Sequence, residues 1–409
     1  MIAVLFFQYL LQIISITMVG HLGELYLSST SLAFSLVSVT GFSFLMGLAS
    51  GLETISGQAY GAQQYQRVGM QTYTAIFSLI LVSVPLSIVW FNIERILVFL
   101  GQDPLIAYEA AKFMLWLVPA LLAYAILQPL VRYFQMQSLL IPMLITSCIV
   151  FCVHIILCWA LVFKTELKNV GGALSFSISI WLNVIILGLY MRYSSACAKT
   201  RAPLSMDILK GTQEFFRFAI PSAVMICLEW WSFELIILLS GMLPNPQLET
   251  SVLSVCLNTI ATVYCIPYGI GAAASTRISN ELGAGNPEAA RIVEVVDYVT
   301  VMAPLVCLSV IFDSMHGFLS GVARGCGWQH LGVYVNLGAF YLCGIPAAAT
   351  LAFWVKLKGI GLWVGIQIGA FVQAFLLAMI TCCINWEQQA IKARNRLFGA
   401  QFSADSRLV

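Results

Sequence analysis

The chain has 409 residues, 60% of them hydrophobic, 12% aromatic and only 9% charged, and its mean hydropathy is +0.91. Soluble domains carry about 25% charged residues, so a water-soluble fold is excluded. A β-barrel is excluded as well, because barrel strands alternate polar and apolar residues whereas here apolar runs reach about 20 residues. Twenty basic side chains against 18 acidic ones give a net charge of +2, which offers no surface for nucleic acid.

In chain order, apolar segments long enough to cross a bilayer fall near 1–20, 29–53, 72–93, 113–135, 139–163 and 171–191. The first lacks a basic leader region and a cleavage site and reads as a span rather than a signal peptide. The longest polar break follows at 192–217, with Arg192, Lys199, Arg201, Lys210 and Arg217. Five further spans lie near 218–243, 251–275, 294–320, 331–355 and 360–385, and 386–409 is a polar tail. The expected organisation is all-α: a six-helix lobe over 1–191, a cytoplasmic inter-lobe linker over 192–217, and a five-helix lobe over 218–385.

The two halves repeat. Ile55-Ser56 followed by Gly61-Ala62 recurs as Ile278-Ser279 followed by Gly283-Ala284, and Arg67 matches Arg291. Pro119 then aligns with Pro304, and Leu167-Lys168 with Leu357-Lys358, at a separation shorter by about one membrane helix and its loops. The second half therefore lacks one helix, near 291–293. With the N-terminus cytoplasmic, Arg67, Arg132 and the basic linker lie inside. The residues Arg324, Lys392, Arg394 and Arg396 return to the cytoplasm only if the absent helix is restored.

Acids within spans carry the strongest functional signal, since a central charge costs about 2.5–3.5 kcal/mol on insertion scales. Glu229 and Glu234 in the seventh span and Asp313 in the ninth qualify, all in the second half. Loss of water favours the neutral form of a carboxyl, so such a group binds and releases protons near physiological pH; each acid could instead be a neutral tie between helices. In the first half Glu24, Glu53, Glu94 and Asp103 fall at or beyond helix ends, and its interior is expected to be neutral. Gln128, Asn183, Asn258, Tyr264, Asn336, Gln367 and Gln373 lie at mid-span, where they contact a substrate or bond across helices, the second role being the commoner. His154 reads as a packing histidine. The pairs Gly47–Gly51 and Gly321–Gly325 have the GxxxG spacing of close helix contacts, a weak signal alone. Prolines 119, 221, 267, 304 and 346 are sites for bends.

The 12 cysteines lie mostly in apolar runs without zinc-site spacing, and no phosphate loop, HExxH helix or nucleophile elbow is present. No enzyme activity, metal or cofactor is expected. Ten Trp and 25 Phe suit planar or amphipathic organic cargo.

Six motifs, spread in order over nearly the whole chain, carry a resemblance. They are Val19-Gly20-His21-Leu22-Gly23, Gly57-Gln58-Ala59-Tyr60-Gly61-Ala62, Leu100-Gly101-Gln102-Asp103-Pro104, Cys227 to Glu234, Asn280 to Gly285, and Ser320 to Gln329. On these the chain resembles the multidrug and toxic compound extrusion (MATE) transporters in their plant-type branch. The resemblance implies two helix lobes around a central cavity and export of organic solutes, xenobiotics or secondary metabolites, in exchange for H⁺, which is favoured over Na⁺. It places the proton-coupling site on Glu229, Glu234 and Asp313; Asn258 stands where some animal relatives have a glutamate. About 11 helices replace the family's 12. A monomer in the plasma or vacuolar membrane is expected, with the bilayer, the proton and a small organic solute as its partners. The odd helix count implies that the last three helices invert or insert poorly, in either case removing Asp313 from Glu229. The alternative to a transporter is a truncated, non-transporting variant.

Overall fold

The computed structural model describes residues 1–99, 103–203, 208–240, 246–294, 317, 319–355, 358–382, 386–389, 391 and 394–395, and among these all regular structure is helical. Six long helices build the first lobe: α1 (Ile2–Gly20), α2 (Glu24–Gly61), α3 (Tyr65–Phe91), α4 (Pro104–Met136), α5 (Leu140–Phe163) and α6 (Asn169–Tyr193). They match the six expected spans. In the second lobe, α7 (Thr212–Ser240), α8 (Pro246–Ala284), α9 (Gln329–Trp354) and α10 (Lys358–Cys382) match four of the expected five. Most of the remaining one, 294–320, lies outside the described residues.

Helices are imposed by the solvent. Without water in the hydrocarbon layer every backbone amide must be paired internally, and long apolar runs can meet that demand only as helices. Their ends carry ordinary punctuation. Asp103 caps α4 by accepting from the amides of Leu105 (2.9 Å) and Ile106 (3.3 Å) ahead of Pro104. Gly285 (φ 79°) and Gly327 (φ 82°) turn the chain left-handed after two helices. The amides of Asn286 and Trp328 then reach back to the carbonyls of Glu281 and Ala323 at 2.9 and 2.8 Å, a stop that suits glycine because it has no Cβ to clash. Wide π-turns interrupt α2 at Ser38–Phe42 and α9 at Leu337–Gly344 and Thr350–Trp354.

The lobes meet along α2 and α7. Gly51 faces Ala219 and Gly47 faces Ala223, with the glycines lying directly on the partner backbone. Further along, Ser43 approaches Cys227 and Trp231 Nε1 donates to the Val39 carbonyl at 3.1 Å. These steps of four on both helices are an antiparallel register in which small residues let the backbones close up. At one end of the bundle α2 and α8 cross with two-fold reciprocity: Gly61 lies on the Asn280 carbonyl and Gly283 on that of Gln58. This is termed the linker end, because residues 195–203 lie against it. There Thr200 is buried and bonded to Tyr133 and Gln137 at 2.6 and 2.8 Å, and Arg67 of α3 pairs with Glu214 of α7 at 2.9 Å.

The expected inversion of the last helices is not what the structure has. Gly321 packs on Gly271 and Gly325 on Ser275, so residues 319–326 run in the same direction as α8, toward the linker end. Helix α9 starts at that end, where Gln329 donates to Thr54 (2.8 Å), and climbs along α7 until Asn336 donates to the Met225 carbonyl (2.5 Å). This is the direction a twelve-helix relative would have. Small-residue contacts and polar partners are made in that direction.

Candidate functional site

The predicted acids are reached from α7. Glu229 sits roughly 25 Å along this helix from Thr212, at about 1.5 Å per residue, and is buried, with 8% of its surface exposed. Tyr264 of α8 donates its hydroxyl to Glu229 Oε1 at 3.1 Å. The Trp230 ring meets the Tyr264 ring edge-on at 6.4 Å. Of the sequence-derived site, the structure therefore brings Glu229 and Tyr264 together. Glu234 and Asn258 lie on α7 and α8 with side chains outside the described residues, and Asp313 is outside them altogether.

In the first lobe, Gln128 and Asn183 are buried on α4 and α6. Tyr124, four residues before Gln128 on α4, stacks on Phe42 at 4.4 Å. Neither amide atom of Asn183 has a hydrogen-bond partner. Asn336, Gln373 and His154 are ties between helices, whereas Gln367 Oε1 is buried without a hydrogen-bond partner. Gln373 donates to Asn336 at 2.6 Å, and His154 joins three helices through Leu11, Ser15 and Ser179 at 3.0, 3.1 and 2.9 Å.

From Tyr264 the polar path continues toward the linker end. Tyr264 contacts Tyr268 one turn on, with ring centroids 5.9 Å apart, and Arg132 Nη2 of α4 donates to the Tyr268 hydroxyl at 2.8 Å. Arg132 Nη1 pairs with Glu53 Oε1 of α2 at 3.0 Å, and Arg324 Nε pairs with Glu53 Oε2 at 3.1 Å. The Arg324 guanidinium lies over the Tyr268 ring at 5.7 Å, a cation–π contact. Four side chains thus close a square, two from each lobe. Ser275 adds a 2.5 Å bond to Glu53, Thr54 donates to the Arg324 carbonyl, and Gln135 donates to the Ala272 carbonyl at 3.0 Å.

The square corrects two expectations. Glu53 is fully buried, with α2 continuing past it to Gly61, so the first lobe's interior is not neutral. Arg132 and Arg324, counted among the cytoplasmic-side charges, do not face water: each is 2% exposed. The sequence did contain a signal for them. Arg132 and Gln137 recur at the same separation as Arg324 and Gln329, which marks the two arginines as mates in the internal repeat.

Comparison with known proteins fits this architecture. The MatE family model matches residues 1–160 and 221–294. Protein DETOXIFICATION 12 of Arabidopsis thaliana is 60% identical over 431 aligned positions, covering 97% of this chain and 90% of that protein. Those positions outnumber the 409 residues of the chain, so part of the relative stands opposite a gap, as the internal repeat requires. Protein DETOXIFICATION 14 of the same plant is 55% identical, covering 98% of this chain and 90% of that protein. The crystal structure of the eukaryotic MATE transporter AtDTX14 superposes with a TM-score of 0.91 at 56% identity, covering 97% of this chain and 96% of that one. An outward-facing multidrug resistance MATE family transporter, 13% identical, shares the fold with a TM-score of 0.78, covering 96% and 94% of the two chains. On the sequence match, the superposition and the paired lobes together, the chain belongs to the MATE family of multi-pass membrane efflux transporters.

Proposed function

We propose that the protein exports organic solutes in exchange for H⁺ by alternating access, with Glu229 as the side chain that takes up and gives back the proton. The observation carrying this reading is the burial of Glu229 beside Tyr264, on the lobe and the helix where the acids concentrate. A carboxyl shielded from water changes its whole set of interactions when it gains a proton: the carboxylate accepts from Tyr264, whereas the neutral acid can also donate. That difference can bias which arrangement of the lobes is favoured. Glu234 and Asp313 are proposed as its acidic partners in the same lobe. Tyr264 and Asn258 are proposed as polar contacts on the cavity side, and Gln128 and Asn183 as their counterparts in the first lobe.

Proteoliposomes carrying an imposed pH gradient test the assignment. Efflux of an organic cation dye by Glu229→Gln should fall at least ~5-fold, the scale of a lost coupling interaction of about 1–3 kcal/mol, and should no longer respond to the gradient. Gradient-driven efflux at the parent rate would refute the proton role, and efflux that follows an imposed Na⁺ gradient instead would refute the choice of ion.

Asn183 gives a second, separable expectation. Because neither of its buried amide atoms is hydrogen-bonded, Asn183→Leu should leave the melting temperature unchanged or raise it, since a buried unsatisfied polar group costs about 1–3 kcal/mol. Efflux by the same variant should fall. A lowered melting temperature with efflux intact would mark Asn183 as a structural tie.

A further inference from the structure

The Glu53–Arg132–Tyr268–Arg324 square has a property that a static brace would not need. Its four edges alternate between contacts within a lobe and contacts across the lobes. Glu53 with Arg132 is internal to the first lobe, and Arg324 over Tyr268 is internal to the second. The crossing edges are Glu53 with Arg324 and Arg132 with Tyr268. Parting the lobes here breaks the two crossing edges and leaves each charged group one partner on its own side. A buried ion stripped of every partner is strongly destabilising, and this arrangement avoids that in either state.

The surroundings concur. The bonds of Ser275 to Glu53, Gln135 to Ala272, Gln329 to Thr54 and Gln58 to the Gly325 carbonyl (3.4 Å) all cross between lobes in the same layer. Directly beyond it lie the reciprocal backbone contacts of Gly61 and Gly283. The square is therefore the innermost part of a seal that closes the linker end over its last turns. We propose that Glu53, Arg132, Arg324 and Tyr268 form a reversible latch on this end of the lobe interface, which must open once in every transport cycle. The proposal rests on the alternating-access reading above, but not on which side chain carries the proton.

Hydrogen–deuterium exchange of the full chain in lipid nanodiscs, followed by mass spectrometry, tests it. Glu53→Gln should speed exchange in peptides covering 54–64 and 276–290 by about 10-fold or more, and leave peptides covering 18–28 and 164–170 at the opposite end within about 2-fold, as a local opening requires. Tyr268→Phe keeps the ring under Arg324 but removes the acceptor for Arg132, and should give a smaller acceleration with the same distribution. Glu53→Gln combined with Arg324→Gln returns the cluster to its native net charge and should recover part of the protection, which a merely structural deletion would not. Unchanged exchange at the linker end in both single variants, or equal acceleration at both ends, overturns the latch. Should Glu53→Gln fail to fold, Tyr268→Phe alone decides by the same criteria. Loss or retention of gradient-driven efflux in Glu229→Gln bears only on the proton assignment, so the two proposals fail separately.

Discussion

Thermal unfolding of Glu53→Gln is expected to require about 3–5 kcal/mol less than that of the parent chain, the usual result of removing one member of a buried ionic cluster. The carboxylate stands between two guanidiniums at 3.0 and 3.1 Å, in a layer where Arg132 and Arg324 are each only 2% exposed. A neutral amide leaves both cations facing each other across a buried interface, with Tyr268 shared between them. Arg324→Gln should cost less, because Glu53 then keeps both Arg132 and Ser275. Replacing Glu53, Arg132 and Arg324 together by Met or Leu should recover most of the lost stability, since apolar packing commonly equals or exceeds a buried ion cluster. Melting curves of the three variants in one detergent check the order; a triple variant less stable than Glu53→Gln would contradict the account.

The second large effect is steric. Gly61→Ala and Gly283→Ala should each destabilise the closed linker end by about 1–3 kcal/mol, the range for overpacking a filled contact. A Cβ at Gly61 would run into the Asn280 carbonyl and one at Gly283 into that of Gln58. Both obstacles are backbone and cannot swing aside. Because the two contacts are mates across one crossing, the double variant should cost clearly less than the two single costs together: once one methyl has parted the helices, the second finds room. Strict additivity in a melting series would mean that the sites do not share a crossing.

Much of the fold could be read from hydropathy, because the bilayer leaves a chain few ways to satisfy its backbone. All six first-lobe spans appear where the apolar runs fall. The GxxxG pairs Gly47–Gly51 and Gly321–Gly325, unconvincing alone, prove to be the surfaces on which α2 meets α7 and residues 319–326 meet α8. Glu229 and Tyr264 were both singled out, but no pattern in one dimension says that they touch.

The interlobe square was missed for a definite reason. Glu53 stands at the edge of its expected span and Arg132 close to the end of its own, so both read as charges at helix ends, although α2 runs on to Gly61 and both side chains are buried. Charges that cancel across 79 or 271 positions of chain leave no local trace. Only the recurrence of Arg132 and Gln137 as Arg324 and Gln329 hinted that the arginines were held by the architecture. The inversion expected for the last helices failed similarly. Counting crossings treats every span alike, whereas Arg324 and Asn336 find their partners in the direction observed.

The acid of the square comes from one repeat alone. Where the first half offers Glu53, the corresponding stretch of the second offers the hydroxyls of Ser275 and Thr276, although both halves contribute an arginine. The halves of this ancient duplication have ceased to be interchangeable. A protein assembled from two copies of the first half would bring two carboxylates to two guanidiniums, while one assembled from two copies of the second would set guanidinium against guanidinium with nothing to neutralise them. Divergence has thus made each half the obligatory counterpart of the other.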